Sequence, residues 1–454
     1  MQDTLGDCDM VDKKRVVLAA AFTALAVLAV GCGGKDSGSA AADTGTKTDS
    51  EPAKIENTPV EITFMPFNSI TDDQLEAFIV GPLKKKYPNM TLKIVRQGKA
   101  TWEDLLMSGE VPDMWTSPFK DTEKYARLGI AENLNPYTAK QKVDIAKFEP
   151  EAIKTIKGYA PGGELYALPY MMNYGALFYN KDIFDKFGVP YPKDGSTWDD
   201  VIDLGKRLSR TDSGVAYIGL DPSTPGALNV SVGNPVAVGT KAQVNTDGWK
   251  KIFQMVSRVY EQPGFIEKKM YNYGVGSGAF VNDRNVAMIA DWSDVLSKLS
   301  DMRAKGKPMN WDMATHPNFA DNMGKGRDVG AHAYYMYNKS KKKDAVFQAI
   351  QYLVDEEAQR IANRQGKLTI LTKTDVFKKE YGQDVAELQG KNKEAIFKMT
   401  PTATVTHEYY SIVSGALNKA TEAFALKQKD LNTALKDAEE EANKLIAEQE
   451  AAKK

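Results

Sequence analysis

Two short clusters in this chain combine flat aromatic rings with small polar side chains. Trp115, Thr116, Ser117 and Phe119 stand at and just past the end of the apolar run around Val111. Phe67, Asn68 and Ser69 follow an alternating run that begins at Val60. Aromatic side chains offer large rigid faces, and Tyr and Trp add a polar handle. Hydroxyls and amides supply directional hydrogen bonds. Together they suit non-covalent capture of a small molecule. Ligands in open α/β sheets bind at the C-terminal edge of the strands. Trp115, Ser117 and Asn68 are therefore candidate ligand contacts. Asp113, beside the first cluster, reads as a structural cap of the strand-to-helix loop.

Groups for covalent or metal chemistry are scarce. The histidines are His316, His332 and His407, far apart and in no metal-ligand spacing. The run Gly274-Val275-Gly276-Ser277-Gly278 lacks both the GxGxxG spacing and the Lys-Ser/Thr of a phosphate loop, and reads as a plain loop. No GxSxG elbow occurs. Asp199-Asp200 and Glu439-Glu440-Glu441 fall on predicted exposed helix faces, whereas glycosidase carboxyls face each other across a cleft. No catalytic residue, metal or cofactor is assigned. The 59 basic and 60 acidic residues nearly cancel, which argues against a partner held by phosphate attraction and so against nucleic acid.

The elements that must position these residues follow from periodicity and caps. Val60, Ile62 and Phe64 alternate with polar residues, a strand pattern. Thr71-Asp72-Asp73-Gln74 is a capping box that opens a helix with Leu75, Phe78, Ile79 and Leu83 on one face. Leu92, Ile94 and Val95 predict the next strand, parallel to the first. A third strand is expected to end near Trp115, before a helix carrying Tyr125 and Leu128 with Gly129 as its C-terminal cap. Thr197 caps a helix with Trp198, Val201, Ile202 and Leu208. Ser340 precedes one with Ala345, Ala349, Ile350 and Leu353. The last helix places Leu431, Leu435, Ala438, Ala442 and Leu445 on an apolar stripe. Trp198 and Trp249 are expected in the core. Alternating strands and helices predict an α/β protein. The roughly 400 residues from 58 on exceed the ~250–300 of a single core, so two domains are expected.

A resemblance enters at Gly163-Glu164-Leu165-Tyr166-Ala167-Leu168-Pro169-Tyr170, followed by Gly175-Ala176-Leu177-Phe178-Tyr179-Asn180-Lys181. This pair resembles the first interlobe crossover of the extracellular solute-binding proteins that serve sugar importers, of which maltose-binding protein is the familiar member. Further pieces resemble the family in the same order: Pro112-Asp113, Tyr125 to Gly129, Gly188-Val189-Pro190, Ser196 to Asp200, Phe280, Ala287-Met288 with Trp292, Glu356 to Gln359, and Ala434 to Ala438. The resemblance implies a two-lobed periplasmic-binding-protein fold, each lobe a mostly parallel sheet flanked by helices, with a hinge between. Lobe one would take 58–169 and 318–372, and lobe two 170–317 and 373–454. Trp292 resembles a stacking tryptophan, with a core residue as the alternative; Asp291 would bond a hydroxyl or cap the next helix. Tyr409 resembles a second aromatic platform, ahead of Tyr410. Asn173 points into the cleft or closes a turn, and Tyr170 meets ligand or packs the hinge. His332 and Tyr334 return through lobe one as further candidates. The implied role is a monomeric receptor that captures a sugar or oligosaccharide and hands it to ABC permease subunits. Few basic residues in these loops, apart from Lys120, favour a neutral ligand. The alternatives are a non-sugar solute such as a peptide, polyamine or polyol phosphate, and a surface carbohydrate hydrolase or adhesin.

The N-terminus carries its own signal. Lys13-Lys14-Arg15 precede an apolar run from Val16 to Val30 that is too short for the ~20 residues of a membrane span. Leu28-Ala29-Val30-Gly31-Cys32 resembles a bacterial lipobox, with Cys32 as the lipid-modified residue of a lipoprotein. Residues 1–31 would be the signal peptide, with Met10 the better start because Asp3, Asp7 and Asp9 suit an export signal poorly. Residues 32–57, rich in Gly, Ser, Ala, Thr, Asp and Lys, read as a flexible tether. The expected location is the cell surface or periplasmic side, anchored to the membrane by lipid.

Overall fold

The computed structural model describes residues 59–452 except 69, 161, 267–275, 329, 373–374 and 403–406. Cys32, the export signal, the tether, Ser69 and Gly274 lie outside the described residues. Among the described residues the strands are β1 (Val60–Met65), β2 (Met90–Ile94), β3 (Met114–Pro118), β4 (Ala167–Asn173), β5 (Gly175–Asn180), β6 (Arg210–Asp212), β7 (Val215–Tyr217), β8 (Ala237–Val238), β9 (Lys241–Ala242), β10 (Met288–Trp292), β11 (Trp311–Thr315), β12 (Lys325–Asp328), β13 (Gly330–Met336) and β14 (Thr400–Thr402).

Two sheets organise the molecule. The first has the order β2-β1-β3-β13-β4, with β1 parallel to both β2 and β3. Its β13 runs antiparallel to β3 and β4. The second has the order β10-β5-β11. There the expectation of a mostly parallel sheet gives way, because β5 is antiparallel to both neighbours. Tyr174 alone separates β4 from β5, so the chain passes from one sheet to the other within a residue. Short β12 pairs with β14 and not with either large sheet, and the chain is back in the first sheet at β13.

The local signals explain the first β-α-β unit. Thr71 Oγ1 accepts the Gln74 N–H at 3.3 Å and the Gln74 side chain accepts the Thr71 N–H at 3.4 Å. Leu75, Phe78, Ile79 and Leu83 are all buried. Asp113 is structural, as expected. It accepts from the Thr63 N–H and hydroxyl, from Ser340 Oγ at 2.7 Å and from Lys342 Nζ at 3.2 Å, tying β1 to the start of β3 and to the segment after β13. Burial opposes ionisation of this carboxyl, but the Ser340 and Thr63 hydrogen bonds prevail and hold its pKa below the usual value. Thr197 opens its helix with a capping box to Asp200, and Trp198 and Trp249 are buried. In the last helix, Leu431–Ala452, Ile446 is buried where Leu445 was expected, and Leu445 is exposed.

Trp115 belongs to this core, not to a ligand site. The third strand begins at Met114, later than expected, so Trp115 lies inside it and not past its end. The strand is paired on both edges, and Met114 to Ser117 are all buried. Trp115 is fully buried and stacks on Tyr335 at 5.5 Å, flanked by Trp102 and Tyr125. Replacing a buried Trp by Ala costs about 3–5 kcal/mol. Trp115→Ala is therefore expected to lower the denaturant midpoint strongly while the fraction that stays folded keeps its ligand affinity. A binding titration on protein held well below its melting temperature checks this.

Candidate ligand-binding cleft

A cavity of 480 Å³ draws its walls from both sheets. Phe67 reaches it from beyond β1, Phe119 and Lys120 from beyond β3, Asn173 from the end of β4 and His332 from β13. Trp292 and Asp294 come from the end of β10 and just after it, and Arg327 and Asp328 from β12. Helix Pro225–Val232 contributes Asn229, and helix Tyr410–Ala425 contributes Tyr410, Ser414 and Asn418. Most of these positions are strand ends, the edge where open α/β sheets hold ligands. A larger cavity of 580 Å³ lies elsewhere, among Lys86, Tyr87, Lys147, Tyr352 and Phe377. It touches no strand end, and none of its side chains is a buried group without a hydrogen-bond partner. The smaller cavity is the better-built site.

Of the residues singled out in the sequence, Trp292, Asn173 and His332 line this cavity. Asn173 is almost buried, and its Oδ1 accepts from Ser293 Oγ at 3.3 Å. His332 packs edge-on against Phe67 with ring centroids 4.8 Å apart, and its Nδ1 is buried without a partner. Trp292 is partly exposed. The Arg327 guanidinium sits over its ring at 3.9 Å, and a Cβ on Gly330 would come within 2.8 Å of it.

The remaining candidates are placed elsewhere. Tyr170 is buried against Tyr334, with ring centroids 4.8 Å apart, and packs the crossover. Ser117 is buried beside Asp121 and accepts from the Tyr125 hydroxyl at 2.8 Å. Asn68 is exposed in the turn after β1, while its neighbour Phe67 faces the cavity. Asp291 does not line the cavity; its Oδ1 accepts the Trp292 N–H at 2.7 Å and stands 3.8 Å from Arg327 Nη1. Tyr409 is buried at the start of its helix and donates to Glu450 of the last helix at 2.6 Å. Tyr410 takes the place in the cavity expected of Tyr409, because adjacent helical residues point about 100° apart. The signal for it was present: Tyr410, Ser414 and Asn418 recur every four residues and share one helix face. Arg327 and Asp328 carried no such local sign.

Burial sets the charge states. His332 is pushed down to about 3 by burial, aided by Lys367 and Lys120, so it stays neutral near pH 7. Asp294 is pushed up to about 6 by burial and by neighbouring Asp291. Lys367, behind the cleft, is lowered to about 8 by burial and donates to Ser297 Oγ at 3.0 Å. Burial also lowers Arg327. Among the described residues no group of three or more His, Cys, Asp or Glu is arranged to hold a metal ion. No described helix is long and apolar enough to cross a membrane.

Two lobes built on separate sheets, crossed by adjoining strands and meeting at an aromatic and amide-lined cleft, define a solute-binding protein. The family model "Bacterial extracellular solute-binding protein" matches residues 68–360, well over half of the chain, and the protein belongs to that family. Solved structures agree on the fold. An ABC substrate-binding protein from Listeria monocytogenes, in complex with cycloalternan, aligns over 86% of this chain and 99% of its own with TM-score 0.67 and 19% identity. The sugar-binding protein MalE of Xanthomonas citri aligns over 87% and 99%, with TM-score 0.63 and 17% identity. The MalE domain of Bdellovibrio bacteriovorus bound to maltotriose aligns over 86% and 100%, with TM-score 0.61 and 18% identity.

Two outcomes are expected. Tyr410→Ala should weaken ligand binding about tenfold or more with little loss of stability, while Tyr409→Ala should destabilise through the lost Glu450 contact. Calorimetry and a melt on each variant separate these. The second concerns pH. His332 has a folded pKa near 3 against about 6.5 unfolded, so below about pH 6.5 the unfolded chain gains a proton that the native state refuses. Stability contributed by neutral His332 is present above pH 6.5 and lost as pH falls toward 3, about 2 kcal/mol of it by pH 5. Asp294, raised to about 6, acts with the opposite sign and offsets part of the loss. Denaturant melts of His332→Gln between pH 7 and 5 should show a flatter slope than wild type.

Proposed function

We propose that this protein is the substrate-binding component of an ATP-driven importer, that its cleft captures a sugar or oligosaccharide, and that it delivers this ligand to membrane permease subunits. The observation that carries the reading is the cleft's composition. Partly exposed rings from both halves, Phe67, Tyr159, Trp292 and Tyr410, face one cavity with Asn173, Asn229, Ser414 and Asn418. Rings suit the C–H faces of a sugar and amides suit its hydroxyls. The complexes of structural relatives with cycloalternan and maltotriose support the same ligand class.

The working cycle follows from the two lobes. Lobe one takes 58–169 and about 330–372, and lobe two takes 170–328 and 373–454. Only a closed arrangement contacts ligand from both sides, so ligand shifts the population toward closure. Tyr174 and the return near Asp328 are the segments that absorb the change. The chain acts as a monomeric carrier without catalysis, tethered outside the membrane through lipid on Cys32.

A hydrolase reading needs two carboxyls across the cleft, and Asp294 and Asp328 do both line it. Product analysis after incubation with oligosaccharide separates the two readings, since a carrier returns its ligand intact. The test of the proposal is a thermal-shift and calorimetric screen over sugars, polyols, peptides and polyamines. A sugar at ~100 times its dissociation constant should add about 2.7 kcal/mol of apparent stability. Stabilisation by peptides or polyamines alone would overturn the sugar reading. For the anchor, Cys32→Ala should leave the membrane fraction while the folded protein still binds ligand.

A further inference from the structure

Arg327 is a buried cation whose charge is balanced but whose hydrogen bonds are not made. Its side chain is 5% exposed. Nε and Nη1 are buried without a partner. The nearest carboxylate oxygen, Asp291 Oδ1, is 3.8 Å away, beyond hydrogen-bond range, and accepts the Trp292 N–H instead. Asp291, and with it Asp328 and Asp294, nevertheless favour the charged form of the guanidinium, partly offsetting its burial. Lys120 lines the same cavity, and Lys298 and Lys367 are further cations that act on Asp294.

Its position is constructed. The guanidinium stacks on Trp292 at 3.9 Å. The stem runs over Gly175, where a Cβ would come within 2.6 and 2.7 Å of Arg327 Cδ and Cγ. Trp292 in turn occupies space that a Cβ on Gly330 would claim. Gly175 stands opposite Trp292 in the β5–β10 register. Missing side chains at two positions thus let one arginine and one tryptophan lie together in the cleft wall.

We infer that Arg327 is a specificity-determining ligand contact, donating hydrogen bonds to uncharged oxygens of the bound sugar and excluding acidic sugars. A guanidinium that lacked counter-charge would call for a carboxylate or phosphate. This one has its counter-charge and lacks acceptors, so a neutral hydroxyl or ring oxygen completes it. A uronate or sugar phosphate would add a further negative charge beside Asp291, Asp294 and Asp328. The stacking also divides the labour at Trp292: the ring face under the guanidinium holds the arginine in plane and is closed to a sugar.

This inference rests on the sugar-receptor reading, and the experiment keeps the two apart. Wild-type protein is titrated calorimetrically with neutral oligosaccharides, including maltotriose, and with uronic-acid and phosphorylated sugars. A neutral sugar should bind at least about 100-fold more tightly than its acidic counterpart, which is the discrimination an unpaired buried charge produces. Against the best neutral ligand, Arg327→Met should lose about 100-fold. Arg327→Gln, which keeps a donor without charge, should recover part of that loss, and Arg327→Lys should recover less. Gly175→Ala keeps the charge and displaces the arginine stem and the buried His316 ring, and should lose about tenfold; if the Arg327 variants melt before they can be titrated, it decides the matter when His316→Ala, which leaves the stem in place, keeps near wild-type affinity. Tightest binding of an acidic sugar, or wild-type affinity in folded Arg327→Met or Gly175→Ala, overturns the inference and leaves the receptor reading standing. Failure of every carbohydrate to bind overturns both.

Discussion

The structure hangs on a one-residue passage between sheets. β4 ends at Asn173 and β5 begins at Gly175, so Tyr174 alone must serve two hydrogen-bonding frameworks. Ser293 secures that residue from the other side of the second sheet: its N–H donates to the Tyr174 carbonyl at 2.8 Å and its hydroxyl accepts the Tyr174 N–H at 3.2 Å. The same hydroxyl donates to Asn173. A backbone whose N–H and carbonyl are both held by Ser293 resists drift in register, since a slip of one residue would turn every side chain to the opposite face. This fixes where the strands part, and the cleft opens where they part. Asn173, Trp292 and the Arg327 stem over Gly175 all lie within a residue or two of the passage.

The cleft wall shows how a polar site is tolerated in a protein interior. A buried ion pair repays its desolvation only when geometry and additional hydrogen bonds are good. Here several charges share the cost. Arg327 is ringed by acids, Asp294 binds its proton more tightly than usual, and His332 gives up its charge altogether. Aromatic contacts from Phe67 and Trp292 cover the faces that would otherwise meet water. The result is a wall near electrical neutrality with several donors and acceptors still open.

Much of the framework was legible in the sequence because its signals are local. Capping boxes at Thr71 and Thr197 and the alternation after Val60 each report a nearby hydrogen bond or a nearby face. The motif from Gly163 to Lys181 pointed to the crossover and hence to Asn173, and the separate run Ala287-Met288 pointed to Trp292. The failures came where facing depends on distant strands. Trp115 is a typical binding residue by type, but pairing on both edges of β3 encloses it. Tyr409 and Tyr410 differ by about 100° around the helix, and only the position of the last helix resolves which of them faces the cavity. Arg327 is accommodated by Gly175, which is distant in the chain, and Gly330 makes room only for its stacking partner Trp292, so β12's own pattern does not announce it. The antiparallel second sheet was missed because its strands are joined through long connections whose direction hydrophobic pattern does not encode.

The adjacent tyrosines have a mechanical meaning. Tyr409 is bonded to Glu450, close to the end of the described chain, while Tyr410 looks into the cleft from the next position. The last helix is fastened along its middle too, where Glu439 accepts the Val244 and Asn245 N–H groups and Asn443 accepts that of Ala242. It is a strut under the floor of the site. Residues outside the cavity thereby hold the helix start from which Tyr410 enters it, so the orientation of one cavity wall depends on the last helix.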